Sequence, residues 1–197
     1  DTALLEMIDG HIGNLARALR TNNSERAAFE TAWMAHAITD GLTPAHHFPL
    51  EQAMAELRGG EGLETRTSIL KKNLMKGENG IELIKNNWKF WGAKGMMTTH
   101  VAFEAGVASV VSYPRFKDAI PSDDEILQVK NHGYREYYLN QVHAVASMKM
   151  YDNFSKSGWT TDLAWQTNHE LMPIIIKSVM LGWLASVWKL EAEKSES

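Results

Sequence analysis

The stretch LLEMIDGHIGNLARALR, residues 4–20, decides the fold class. Its apolar side chains recur every three or four residues, which is the spacing of one face of an α-helix. The same spacing continues through most of the chain, and alternating strand patterns are scarce. The sequence therefore predicts an all-α protein.

Glycine, proline and polar residues divide this pattern into segments. The pair Asn22-Asn23 ends the first segment, and Ser24 is a typical residue for starting the next. Ser122 precedes three acidic residues, and negative charge is favoured in the first turn of a helix. We expect helices over about residues 4–20, 25–40, 49–58, 64–76, 81–91, 96–111 and 122–154, and from 161 onward, with a break at Gly133 and a kink at Pro173.

The expected architecture is an irregular multi-helix bundle of about six to eight helices. With 197 residues and no linker-like stretch, the chain has the size of a single helical domain, residues 1–197. Because the chain opens at Asp1 without a methionine, a missing leader and export stay open. The compartment and the oligomeric state are not determined by the sequence.

Composition excludes several function classes. The net charge is -4 and the basic residues are spread out, so we expect no binding to duplex nucleic acid. The longest apolar candidate, residues 173–188, is interrupted by Lys177, Ser178 and Ser186, so we expect no transmembrane segment. The chain has no cysteine, so any metal would be held by imidazole and carboxylate groups.

Histidines and acidic residues are spaced as metal ligands would be. His36 and Asp40 are four residues apart, so both project from one face of the second predicted helix. The proline-containing connection after Gly41 can bring His46 back towards the end of that helix. His100 and Glu104 repeat the four-residue spacing on another helix.

The segment His36-Ala-Ile-Thr-Asp40-Gly-Leu-Thr-Pro44-Ala-His46 resembles the His-xxx-Asp-xxx-Pro-x-His segment of zinc-dependent phospholipase C and the single-strand-specific zinc nucleases. In that superfamily an all-helical fold holds up to three zinc ions that hydrolyse phosphate esters. The resemblance implies that His36, Asp40 and His46 are metal ligands. The later pair in His100-Val-Ala-Phe-Glu104 is similar to a second ligand pair of the family, and His11 matches an early ligand.

These observations predict a metal-dependent phosphoesterase that acts on a small phosphate-ester substrate. One or two zinc ions, or another divalent metal, would activate water. Asp40 is assigned the catalytic role, and Asp9 or Glu30 is a candidate for orienting the attacking water. The predicted metal ligands are His11, His36, Asp40, His46, His100 and Glu104.

The alternative is a non-catalytic helical protein that binds a ligand or a partner chain and uses its histidines structurally. A histidine on a helix is commonly a hydrogen-bonded core group, and His143 is interpreted in this way, with metal ligation as its second interpretation. This alternative predicts no stoichiometric metal.

Overall fold

The computed structural model describes the backbone of residues 2–112, 116 and 119–195. It also describes the side chains of these residues, except those at positions 63 and 193–195. The described residues contain helices and connections but no strand, so the predicted all-α fold class is confirmed. The helices are α1 (Thr2–Arg20), α2 (Ser24–Gly41), α3 (Leu50–Leu57), α4 (Ile69–Asn73), α5 (Gly80–Trp91), α6 (Met96–Val111), α7 (Asp123–His132), α8 (Tyr134–Ser147), α9 (Met150–Ser157), α10 (Thr161–Gln166) and α11 (Met172–Ser195).

Local sequence signals account for most helix ends. Ser122 and Glu125 form a reciprocal capping box at the start of α7. Gly133, with φ of +88°, separates α7 from α8 as predicted. A second break was not predicted: Lys149, with φ of +52°, separates α8 from α9.

Helix α4 is shorter than the segment 64–76 that the sequence predicts. A 3₁₀ turn occupies Leu63–Thr65, and the Ser68 side chain then caps α4 by accepting a hydrogen bond from the Lys71 backbone N–H. Ser68 is in the extended region, where it cannot continue a helix from the preceding turn. The segment is therefore two short helical pieces rather than one helix.

The chain divides into two compact units. The first unit comprises Asp1–Thr43, Tyr113–Lys149 and Trp165–Ser197, and the second comprises Pro44–Ser112 and Met150–Ala164. The expectation of one domain over residues 1–197 stays a prediction.

The first unit is built mainly on α1, α2 and α11, with α7 and α8 packed against α11. Tyr138 reaches across its core and donates a hydrogen bond of 3.2 Å to the Ile38 carbonyl. Gly41 permits this approach, since a Cβ there would overlap the Tyr138 hydroxyl and a methyl group of Leu4. The unit is thus closely packed at the end of α2.

The segment Thr161–Ala192, which includes α10 and most of α11, has a length and composition that would cross a membrane. An 18-residue window within it has a mean hydropathy of 1.6, and 33% of that window is buried. The expectation of no transmembrane segment is therefore not confirmed. The polar interruptions on which it rested are weak, because Ser178 and Ser186 are buried within the unit. A core helix of a soluble protein also meets these criteria, so this feature alone assigns no membrane topology.

The helix is irregular just before Pro173, where the sequence predicts a kink. A π-helical turn over Thr167–Leu171 lies between α10 and α11. Proline has no N–H to donate to the carbonyl four residues earlier, which is that of His169, so the regular hydrogen-bond ladder is interrupted there. His169 itself stacks on Trp165, with ring centroids 4.7 Å apart.

The second unit has two buried clusters. Met54, Met75 and Phe90 form one, which joins α3 to α5 and the segment after α4. Aromatic rings form the other: Phe103 of α6 packs edge-on against Tyr151 and Phe154 and stacks on Trp159. This ring cluster holds α6 against α9 and carries the site described next.

Candidate metal centre

Three of the predicted ligands come together in the second unit. The Nε2 atoms of His46 and His100 each lie 3.1 Å from Oε1 of Glu104. The two imidazole rings are nearly parallel, with an interplanar angle of 5° and centroids 5.4 Å apart. One atom from each of the three side chains lies within 4.8 Å of the other two.

Two local structures position these side chains. Pro44 begins a 3₁₀ turn, Pro44–His47, that follows the end of α2 and presents His46. Helix α6 carries His100 and Glu104 one turn apart, so both point to the same side. The contact between His46 and Glu104 thus joins residues 58 positions apart in the sequence.

Helix α6 is fixed close to this site. Its Gly106 lies against Trp159, and a Cβ at that position would overlap the indole ring. The indole Nε1 of Trp159 donates a hydrogen bond of 3.3 Å to the Ala102 carbonyl. Phe103, which is fully buried, lies between His100 and Glu104 in the sequence of the helix. The ligand-bearing turn of α6 is therefore held by packing on one side.

The site is buried on one side and open on the other. The His100 side chain is 13% exposed, whereas those of His46 and Glu104 are 33% and 43% exposed. The buried side includes the Nδ1 atom of His100, which has no hydrogen-bond partner among the described residues. A small solvent molecule or substrate could therefore reach the Nε2 side, where the three ligand atoms meet.

Tyr151 was not predicted as a neighbour of the site. Its ring meets that of His100 edge-on, with centroids 6.3 Å apart. Burial raises the pKa of Tyr151, and the negative charge of Glu104 raises it further, so its hydroxyl is neutral at physiological pH. No sequence signal connects Tyr151 to His100, because the pairing arises from the packing of α9 on α6.

The donor set suits a divalent transition metal. Two ligand atoms about 2.0–2.1 Å from one ion, at angles of about 90–110°, lie about 2.9–3.4 Å apart. The two nitrogen-to-oxygen distances of 3.1 Å fall in this range. Two histidines and one carboxylate also leave coordination positions for water and substrate.

The other predicted ligands lie in the first unit and have contacts of their own. His36 Nε2 is 3.3 Å from Asp40 Oδ2, and the two side chains are 62% and 42% exposed. The His36 ring also meets Trp33 edge-on. The four-residue pairing on α2 is therefore present, and its part in metal binding stays a prediction.

His11 has a structural partner. Its Nδ1 atom lies 2.5 Å from Oε2 of Glu30, which is fully buried and also forms an ion pair with Arg26. A buried carboxylate needs such partners, because an unpaired charge in the interior is costly. This contact joins α1 to α2 through the Nδ1 atom of His11, and the ligand role of His11 stays a prediction. His143, interpreted from the sequence as a core histidine, is instead exposed on α8.

Comparisons with protein-family models, curated proteins and solved structures give no match for this chain. The resemblance to zinc-dependent phospholipase C and the zinc nucleases therefore stays a prediction from the spacing in residues 36–46 and 100–104 and from His11.

Proposed function

We propose that the protein binds a divalent metal through His46, His100 and Glu104, with zinc as the first candidate. We also propose that it is a metal-dependent phosphoesterase. The convergence of two imidazole nitrogens on one carboxylate oxygen, each at 3.1 Å, carries the proposal. Nitrogen and oxygen donors in this number are typical of catalytic zinc sites. Iron, cobalt or manganese bound by the same three side chains is an outcome that the experiment distinguishes.

A bound divalent ion would supply Lewis acidity to a phosphoryl oxygen and lower the pKa of water towards neutrality. The chain's own residues hold and orient the ion. Glu104 offers the anionic ligand, and the ring of His100, which is 13% exposed and meets Tyr151 edge-on, offers its Nε2 atom. The catalytic assignment of Asp40 stays part of the proposal, and Asp40→Asn tests it by comparing hydrolysis rates at equal metal occupancy.

The metal-binding step is tested by measuring metal content and thermal unfolding with and without zinc. A ligand that binds only the folded state at one hundred times its Kd stabilises it by about 2.7 kcal/mol. We expect zinc to raise the unfolding temperature of the wild type and to bind at one ion per chain. His46→Ala and His100→Ala should abolish both effects, and His143→Ala, an exposed control, should retain them. Unchanged zinc binding in His46→Ala and His100→Ala would contradict the proposal.

The hydrolytic step needs a separate assay. Zinc-loaded protein should hydrolyse a simple phosphodiester such as bis(4-nitrophenyl) phosphate, and His100→Ala should lose this activity. His36→Ala tests whether the pair on α2 contributes ligands, through a lower metal content. Zinc binding without hydrolysis would support the metal site and contradict the proposed phosphoesterase activity.

A non-catalytic ligand-binding protein is the second candidate, and an open groove in the first unit favours it. The groove has a volume of about 560 Å³ and lies beside α7, α8 and the end of α11. Lys130 Nζ lies 5.0 Å from the centroid of the Trp188 ring at this groove, so a cation and an aromatic face line it together. In this case the three site residues would form a hydrogen-bonded cluster that joins the 3₁₀ turn to α6, and zinc would not change the unfolding temperature.

A further inference from the structure

Helix α5 exposes its apolar face to solvent. Ile81, Ile84 and Trp88 are 82%, 68% and 70% exposed, and with Trp91 they follow the three- and four-residue spacing of one helix face. An apolar face of this kind normally turns inward. Here it forms the outer surface of the second unit.

Polar side chains fix this orientation from the inner side. The amide of Asn87 donates a hydrogen bond to the Met75 carbonyl at 2.9 Å and accepts one from the Met75 N–H at 3.0 Å. The Asn86 amide donates to the Lys76 carbonyl at 2.7 Å. These bonds satisfy the backbone of the segment after α4, so rotating α5 to bury its apolar face would break them.

Helix α4 adjoins α5, since the Trp91 indole N–H donates a hydrogen bond of 2.7 Å to the carbonyl of Asn73, the last residue of α4, and it exposes the same kind of side chains. Its Ile69 and Leu70 are more than three-quarters exposed, and Leu74 at its end is half exposed. The Arg58 guanidinium, itself buried, donates hydrogen bonds to the carbonyls of Lys71 and Leu74 and so anchors this helix to α3. Each of the two helices is thus attached to the unit by polar bonds while its apolar side chains face solvent.

Lysines accompany the apolar side chains. Within α4, α5 and the turn after α5, the exposed lysines are Lys71, Lys72, Lys85, Lys89 and Lys94. None of these five forms an ion pair within the described part of the chain. The positive charge is local, because the chain as a whole has a net charge of -4. On α5, Lys85 and Lys89 lie beside the apolar face, where long side chains can reach outward past it.

We propose that this α4–α5 face, comprising Ile69, Leu70, Leu74, Ile81, Ile84, Trp88 and Trp91 with its flanking lysines, docks on an anionic membrane surface. Isoleucine, leucine and tryptophan side chains enter the boundary between headgroups and acyl chains, and lysines remain at the anionic headgroups. A second copy of the chain fits poorly, because pairing two such faces would bring lysines against lysines. The proposal is independent of the metal site, since it uses none of the site residues.

Vesicle sedimentation tests this docking with phosphatidylcholine vesicles that contain or lack phosphatidylserine. We expect binding to the anionic vesicles that weakens as salt is raised, because salt screens the lysines. Ile84→Ser with Trp88→Ser should lower the partition coefficient at least about tenfold, since each side chain loses its transfer from water. Lys85→Glu with Lys89→Glu should lower it by about tenfold or more.

Two control variants change the same types of side chain on other helices. Leu127→Ser removes an exposed leucine of α7, and Lys156→Glu reverses an exposed lysine of α9. Both should bind like the wild type, and circular dichroism should show that all variants remain helical. Equal binding of the α5 variants and the wild type would overturn the proposal and point to another segment, such as Thr161–Ala192. A further outcome is a wild type that forms a dimer and fails to bind vesicles, together with a Trp88→Ser variant that is monomeric. That result would overturn the proposal in favour of a second copy of the chain.

Discussion

The two units place their aromatic and apolar side chains differently. In the first unit Tyr134, Tyr137 and Tyr138 are buried, and Tyr134 donates a hydrogen bond of 2.8 Å to the Ser178 carbonyl. In the second unit Trp88 and Ile81 face solvent, and the buried clusters are small. Phe29, Trp33 and Trp165 of the first unit are about half exposed, but among the described residues only the second unit has large apolar side chains that are more than two-thirds exposed. The second unit carries both the candidate metal centre and the candidate docking face.

The largest expected effect concerns the ring cluster of the second unit. Phe103→Ala should lower the free energy of unfolding by about 3–5 kcal/mol, because it leaves a cavity among Tyr151, Phe154 and Trp159. Urea unfolding followed by circular dichroism measures the change. Val101→Ala, at an exposed position of the same helix, is the control and should change stability little. If the two variants lose equal stability, the small cluster is not what supports α6.

The next effect concerns the pH dependence that the buried tyrosines of the first unit give to stability. Burial, with a contribution from the charge of Glu125, raises the pKa of Tyr137 to about 12, and burial also raises those of Tyr134 and Tyr138. Because the unfolded pKa is about 10, the folded state retains protons that the unfolded state has lost. This stabilisation is complete below pH 10 and is lost as the pH rises through the folded pKa values.

We therefore expect stability to fall between pH 10 and 12, by about 1.4 kcal/mol per pH unit for each such tyrosine. Urea unfolding at several pH values measures this slope. Tyr137→Phe should make the slope shallower by about that amount. An unchanged slope in Tyr137→Phe would show that this hydroxyl is not shielded from water.

The smallest effect tests the close packing of the first unit. Gly41→Ala should destabilise the protein by about 1–3 kcal/mol, because the new methyl group meets the Tyr138 hydroxyl and Leu4. Gly10→Ala is a matched change in α1, where nothing lies within 4 Å, and it should stabilise by about 0.5–1 kcal/mol. Thermal unfolding of both variants gives the comparison. Equal changes would mean that the end of α2 has room to adjust.

Local signals predicted the helices well and the site only in part. The cap at Ser122 and the glycine at 133 act within a few residues, so the ends of α7 follow from the sequence. The four-residue spacing of His100 and Glu104 likewise places them on one face. The partnership of His46 with Glu104 was proposed through a family resemblance, and the partnership of His11 with buried Glu30 was not anticipated.

The sequence by itself determined the helical character of this protein and the residue types available for ligation, because periodicity and capping are properties of neighbouring residues. The tertiary structure decided which histidines meet and which face of α5 is exposed. Amphipathic spacing defines an apolar face but not its direction, and here the bonds of Asn86 and Asn87 to a distant backbone turn that face to solvent. Contacts between residues far apart in sequence depend on packing that no short segment encodes.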